Sequence, residues 1–444
     1  MLTPGDARPI ALEEALALWV RAFRCASHPP ITGPVVLAVS GGPDSMAMLW
    51  LAAENKVELS RLGIELHVAT IDHGLREAAI HEAEEVARVC GALGLPHRTL
   101  RWEGEKPASN LQGAARRARY RLLEAAAEAV GAAAVLTAHH QDDQIETHLL
   151  ARGRHAGDRG LAAMRPRRAL APGLDLLRPF LALPGRRMRL TAEASGLPFF
   201  DDPSNDDDRF DRVRLRGRVR SMGEGERTGR MAEIAGHRRA TDRADQLVAE
   251  VLKESLASVD DFGRVRLEAE RFRDRPFDVC AETLGRVLAA VSGGEHMPER
   301  AALERLCREL ARTGAGALTL GGVRVEPGPT LVFAREYGRT GPSIVPFNRQ
   351  KARALFDGRF DVSLGEGGGL GEPGLEGAHL VPFGRLGRGN AAERTLPILM
   401  GEGETVLAAP ALLADKLPDV SRRLVIAGRV SWRLWADLPR GRRS

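Results

Sequence analysis

Two stretches of this 444-residue chain carry residue types at spacings that could do chemistry. The first is Ser40-Gly41-Gly42-Pro43-Asp44-Ser45, which ends an apolar β-branched run and opens a helix-forming one. Gly41 and Gly42 permit a tight turn and close backbone approach to a ligand. The turn feeds a helix N-terminus, where unpaired N–H groups and the dipole favour an anion, and the Ser40 and Ser45 hydroxyls can add donors. A Walker A loop would bring a lysine to the terminal phosphates; here Asp44 stands where a cation is expected. A carboxylate beside a polyphosphate makes sense when Mg2+ bridges the two. The second stretch is "TAHHQDDQIET" (137–147), where Asp142 and Asp143 lie three or four residues before Glu146. Like charges at that spacing destabilise a helix, so a cation is expected to offset them, either Mg2+ or an ammonium substrate. An Asp in the first turn complements the helix dipole. That accounts for one carboxylate and leaves the string unexplained.

Three further stretches speak more softly. In "IDHGLR" (71–76), Asp72 and His73 sit at a strand end, where a satisfied loop histidine is the commoner meaning. In "NLQGAARRARY" (110–120), Gln112, Arg116 and Arg119 share a helix face. The choice there lies between a solvated basic face and a phosphate clamp. Between Arg152 and Arg220 there are sixteen arginines against nine acidic residues, and "RVRLRGRVR" (212–220) places Arg at every second position. On a strand that alternation puts five guanidinium groups on one face. Such a face is either a solvated edge or a stripe that neutralises RNA phosphates.

The elements that must position these residues alternate. Strands are expected at 35–39, 64–72, 97–102 and 133–138, with helices at 45–54, 77–93, 110–130 and 141–151. Short, wholly apolar strands alternating with helices predict a parallel sheet covered on both faces. Ligands then bind at the carboxyl ends of the strands, so the loops after residues 39, 72 and 138 should converge. A composition shift at 221–229 reads as a linker, and a second break falls at 337–346. The expected domains are an α/β catalytic domain (1–222), a mostly helical domain with a hairpin (229–336) and a β-rich C-terminal domain (344–444).

Hydrophobic content of 43% with 28% charged residues fits a globular chain too long for a single core. The N-terminal stretch has no basic region before its apolar residues, and no apolar run reaches about 18 residues. Neither a secretory leader nor a membrane span is expected. The four cysteines are scattered without a C-x-x-C pair, the usage of a reduced compartment, and a cytoplasmic location is expected.

The loop at 40–45 resembles the pyrophosphate-binding loop of the N-type ATP pyrophosphatases (PP-loop enzymes), with a Rossmann-like sheet. "SGGPDS", "IDHGLR", "NLQGAARRARY", "TAHHQDDQIET", "LLRPFL" (176–181) and "DDPSNDDDRFDRVRLR" (201–216) follow the order found in tRNA(Ile)-lysidine synthases. Two departures stand out. "RGRHAGDRGL" (152–161) is two residues longer than the usual glycine-rich run and lacks its serine, and Val213 stands where an asparagine is usual. The resemblance implies a ligase that transfers AMP from ATP to the C2 oxygen of the wobble cytidine in a CAU-anticodon isoleucine tRNA. The ε-amine of L-lysine then displaces AMP. It assigns Ser40, Gly41, Gly42, Pro43, Asp44, Ser45 and Arg116 to ATP and pyrophosphate, with Mg2+ on Asp44. Asp143 and Glu146 would hold lysine, with His139 and His140 as alternative bases. Asp44, Asp143, Glu146 and Arg119 would be catalytic, and Arg178, Arg212 and Arg216 would meet tRNA. A homodimer is a further expectation. A thiolating relative would need reactive cysteines, and an amidotransferase would need a glutaminase nucleophile. An ATP-gated RNA-binding protein without catalysis would not need the 142–146 carboxylates.

Overall fold

The computed structural model describes residues 8–25, 29–74, 78–104, 106–107, 111–201, 211–312, 316–347, 353–365, 375, 377–420 and 423–439. The chain divides into two compact units at Arg243/Ala244. In the first, strands β1 (Gly33–Ala38), β2 (Ile64–Asp72), β3 (His97–Arg101), β4 (Ala134–Leu136), β5 (Arg167–Ala171) and β6 (Leu174–Leu177) form one sheet in the order β3-β2-β1-β4-β6-β5. All neighbours pair in parallel except β5, which runs antiparallel to β6 at the edge. Helices α1 (Leu12–Phe23), α2 (Pro43–Glu54), α3 (Lys56–Arg61), α4 (Ala78–Ala92), α5 (Leu111–Ala129), α6 (Gln141–Gly153), α7 (Asp158–Leu161), α8 (Gly185–Ser195), α9 (Asp211–Ser221) and the start of α10 (Glu224–Ser255) complete it.

The side-chain period of two explains why β1 reads as an unbroken apolar run. Val35 and Leu37 enter the core with Trp19, Met46, Leu49, Val86 and Met188. Val36 enters a second core with Ala69, Leu123, Ala127, Val135 and Leu176. Both faces are covered, as a parallel sheet requires. The strand order turns back between β1 and β4, and the crevice at their carboxyl ends is where such sheets bind ligands.

Two expectations are corrected. The Arg-alternating stretch is helix α9, not a strand, so every second residue no longer falls on one face. Val219 and Met222 pack with Ile145 and Ile234, and this apolar seam sets the local conformation over the period-two charge pattern. The expected linker at 221–229 mostly belongs to α10, which begins at Glu224. Arg227 anchors that first turn through a paired contact with Asp142 (2.7 and 3.4 Å).

The second unit holds a five-stranded sheet and a seven-stranded sheet. The first contains β7 (Leu256–Val259), β8 (Val265–Glu268), β9 (Leu318–Leu320), β10 (Val323–Glu326) and β11 (Thr330–Arg335). Helices α11 (Ala269–Arg273), α12 (Phe277–Ser292) and α13 (Arg300–Leu310) accompany it. The seven-stranded sheet spans Val345 to Gly428, and helix α14 (Val430–Trp435) follows it. A buried network knits the unit together. Fully buried Arg359 donates to Asp357 (2.8 Å) and to the Thr395 carbonyl (2.9 Å), while Arg335 of β11 reaches the same Asp357 at 3.0 Å.

Candidate functional site at the carboxyl ends of β1 and β4

The loop after β1 is braced from within. Gly41 adopts φ +85°, and a Cβ there would also press on the Phe200 ring at 3.4 Å. Only glycine takes that conformation without strain. The Phe200 N–H donates to the Gly41 carbonyl at 3.0 Å. Ser45 Oγ accepts from the Ser40 N–H (3.1 Å), lies 3.2 Å from Ser40 Oγ and donates to the Gly42 carbonyl (2.9 Å). The Ser45 hydroxyl therefore holds the shape of the turn. Gly42 caps α2, Pro43 occupies its first turn, and Asp44 follows in that same turn. Asp44 is the acidic group closest to the anion-favouring end.

Helix α6 starts opposite, after β4. His140 is its N-cap, and the His140 N–H donates to Asp143 Oδ2 at 2.9 Å. The His140 ring spans the crevice, with Nε2 3.4 Å from Asp44 Oδ2 and 3.6 Å from Asp143 Oδ2. This contact joins the two stretches that the sequence singled out. Burial alone would strip the proton from His140; the carboxylates of Asp143, Asp44 and Asp142 overcome it and push the pKa up to about 10. His139 goes the other way, down to about 3. Burial dominates, and Arg178, Arg119 and Arg116 outweigh the pull of Asp143. Its Nδ1 lies 2.7 Å from Thr137 Oγ1. Two adjacent histidines thus have opposite charge states at neutral pH: His140 is an imidazolium and His139 a neutral ring.

The three α6 carboxylates also separate. Asp142 accepts from Arg227 and from the Gly185 N–H (3.3 Å), which ties it to the scaffold. Asp143 faces His140. Glu146, one turn on and buried, has Oε1 3.4 Å from Arg216 Nε. Gln144 clamps the Met164 backbone, three residues beyond the longer 152–161 run, through both amide atoms (2.9 and 2.7 Å).

Of the basic residues, Arg116 and Arg119 lie over the Tyr120 ring at 5.1 and 5.5 Å. Arg178, buried beyond β6, donates to the Arg165 carbonyl at 2.7 Å, and burial lowers its pKa to about 10. Arg212 lies on α9, but its side chain is outside the described residues, as are residues 202–205 of the D-P-S-N block. Asp72 is buried and accepts from the Gly74 N–H at 2.7 Å, so it shapes its own turn. Sequence reading missed Gly185, Tyr120, Arg168 and Arg227. Only Tyr120 had a local signal, being four residues after Arg116 and next to Arg119.

A PP-loop domain family matches residues 23–222. A tRNA(Ile)-lysidine synthase of Methylobacterium sp. (strain 4-46) is 44% identical over 345 residues, covering 74% of this chain and 96% of that protein. The chain belongs to the tRNA(Ile)-lysidine synthase family. The Methylobacterium nodulans protein of that name is 45% identical over 302 residues (68% and 86% of the two chains). The one from Ruegeria pomeroyi is 37% identical over 390 residues (85% and 89%). That last match extends the likeness beyond the PP-loop domain, into the second unit. Among the described residues, no helix is long and apolar enough to cross a membrane.

Proposed function

We propose that this chain forms lysidine at the wobble cytidine of a CAU-anticodon isoleucine tRNA, consuming ATP and L-lysine. The observation that carries the reading is the meeting of Asp44 and the α6 carboxylates across His140, inside a chain of the lysidine synthase family. The C2 oxygen of cytosine leaves poorly, and AMP transfer to it creates a good leaving group. The loop at 40–45 grips pyrophosphate, which departs, so no lysine is needed to follow a γ-phosphoryl group. Imidazolium His140 adds a positive charge beside that loop and is unsuited to act as a base. Among the described residues, no group of three or more His, Cys, Asp or Glu side chains is arranged to hold a metal. Mg2+ is commonly held by one or two carboxylates plus substrate phosphates, a role that fits Asp44. When bound, the ion would neutralise charge on the departing pyrophosphate.

The ε-amine of lysine, with an unperturbed pKa of ~10.4, arrives protonated. Asp143 and Glu146 hold the ammonium and are the groups placed to take its proton; His139, with its pKa pushed down to about 3, is too weak a base for that step. RNA loops present unstacked bases that can be splayed into such a pocket. The test is nucleoside mass spectrometry of unmodified isoleucine tRNA after incubation with the full chain, ATP and lysine. Lysidine is expected at one cytidine, and Asp44→Asn should yield none while retaining tRNA affinity. A folded wild-type protein that leaves the cytidine unchanged overturns the reading.

A further inference from the structure

The turn after β1 is tied down by the segment that follows α8. Gly196, in a left-handed conformation (φ +69°), ends that helix, and residues 197–201 bring the chain back onto the loop at 40–45. Phe199 packs on the core that holds Met46 and Met188. Arg189 of α8 pins Asp201 through two hydrogen bonds (2.9 and 3.0 Å) and lies over the Phe199 ring at 5.6 Å. Between these two anchors, Phe200 meets both glycines of the loop. Its N–H donates to the Gly41 carbonyl at 3.0 Å, and its ring lies 3.4 Å from where a Cβ on Gly41 would stand. Its carbonyl oxygen lies 3.9 Å from where a Cβ on Gly42 would stand. The Gly42 carbonyl is held as well, accepting from the Met46 N–H (3.0 Å) and the Ser45 hydroxyl (2.9 Å).

We propose that Phe200 is a positioning residue for the pyrophosphate step: by holding the Gly41 carbonyl, its backbone N–H turns the Gly42 N–H toward the phosphates. The Gly41–Gly42 peptide is planar and trans, so its N–H points opposite to its carbonyl. With the carbonyl fixed on Phe200, the Gly42 N–H is fixed on the other side of the turn, where an anion meets the start of α2. Neither glycine has a Cβ to resist rotation of the peptide between them. Left untied, that peptide can flip and aim a carbonyl oxygen at the anion, where like partial charges repel. Pro43 raises the importance of this one donor. It opens α2 and has no N–H, so one of the donors that a helix N-terminus ordinarily offers is missing.

The proposal rests on the reading of the 40–45 loop as a pyrophosphate grip, but its test does not depend on lysidine formation. The probe is inorganic pyrophosphate with Mg2+, bound to the full-length chain and followed by calorimetry, with AMP as the comparison ligand. In the deciding variant, phenyllactic acid replaces Phe200, so that the amide N–H becomes an ester oxygen and the ring stays. Losing one aligned donor to a charged group should weaken pyrophosphate binding by ~10–10²-fold. AMP, which lacks the β- and γ-phosphates, should bind as it does to wild type, and thermal unfolding should barely move. Phe200→Leu keeps the N–H and should keep the wild-type affinity for pyrophosphate. An ester variant that binds pyrophosphate as tightly as wild type overturns the proposal. Equal losses for pyrophosphate and AMP also overturn it, because they mark general damage to the fold. A loss in Phe200→Leu as large as in the ester variant moves the effect from the N–H to the ring and overturns it too. Where the ester variant fails to fold, hydrogen exchange in the wild-type protein decides. Saturating pyrophosphate should slow exchange of the Phe200 amide, since a bound ligand stabilises the tethered loop, and an unchanged rate overturns the proposal. Failure of the functional reading shows separately, as wild-type protein that binds pyrophosphate and forms no lysidine.

Discussion

Gly185→Ala tests the packing that aims His140. Helix propensity alone predicts a gain from this substitution of up to ~1 kcal/mol, and Gly185 is not in a positive-φ conformation that would forbid alanine. The tertiary surroundings say otherwise. A Cβ at 185 would lie 2.7 Å from His140 Cε1, 2.9 Å from Nδ1 and 3.1 Å from Nε2. Ordinary carbon contacts fall at ~3.5–4.0 Å, so the ring or the start of α8 must withdraw by about 1 Å. The ring has little freedom, because it sits between Asp44 at 3.4 Å and Asp143 at 3.6 Å. Overpacking of this kind costs ~1–3 kcal/mol. Set against the propensity gain, the net destabilisation is only about 1 kcal/mol. The larger effect is on the reaction, since a misplacement of about 1 Å at a reacting centre can cost ~10²-fold. ATP–pyrophosphate exchange should therefore fall by one to two orders of magnitude (~10–10²-fold) while thermal unfolding shifts only slightly. A variant that is more stable than wild type and exchanges at the wild-type rate would refute the claim that this glycine makes room for the His140–Asp44 contact.

Glu146→Gln should leave adenylation of the tRNA measurable and block lysine incorporation; loss of both steps together would move Glu146 from amine binding to the ATP half-reaction. His140 makes stability depend on pH. Its folded pKa of about 10 lies above the ordinary 6.5, so its contribution is complete below about pH 6.5 and drains away as pH rises through 10. The stability gap between wild type and His140→Gln, read by denaturant unfolding, should narrow across that window by at most ~1.4 kcal/mol per pH unit. A gap that stays constant from pH 6 to 10 would mean that the ring is neutral in the folded protein.

The sequence by itself determined what local sterics and hydrophobic period control. The strand at 64–72 coincides with β2, and α2, α4, α5 and α6 fall within two residues of expectation at each end. The glycine turn and its Asp44 were legible because a positive φ and a helix N-terminus impose residue types over six consecutive positions. Tertiary structure decided matters that depend on residues far apart in the chain. Period two in "RVRLRGRVR" pointed to a strand, but packing of Val219 against Ile145 and Ile234 selects a helix. Asp142 and Asp143 look alike in sequence; Arg227, 85 residues away, makes the first a scaffold contact and leaves the second facing His140. His139 and His140 are equivalent as letters. They carry opposite charge states because one is buried near arginines and the other among carboxylates from two helices. Electrostatic energies in a low-dielectric crevice depend on distances of a few ångströms between such remote groups, and only the folded chain sets those distances.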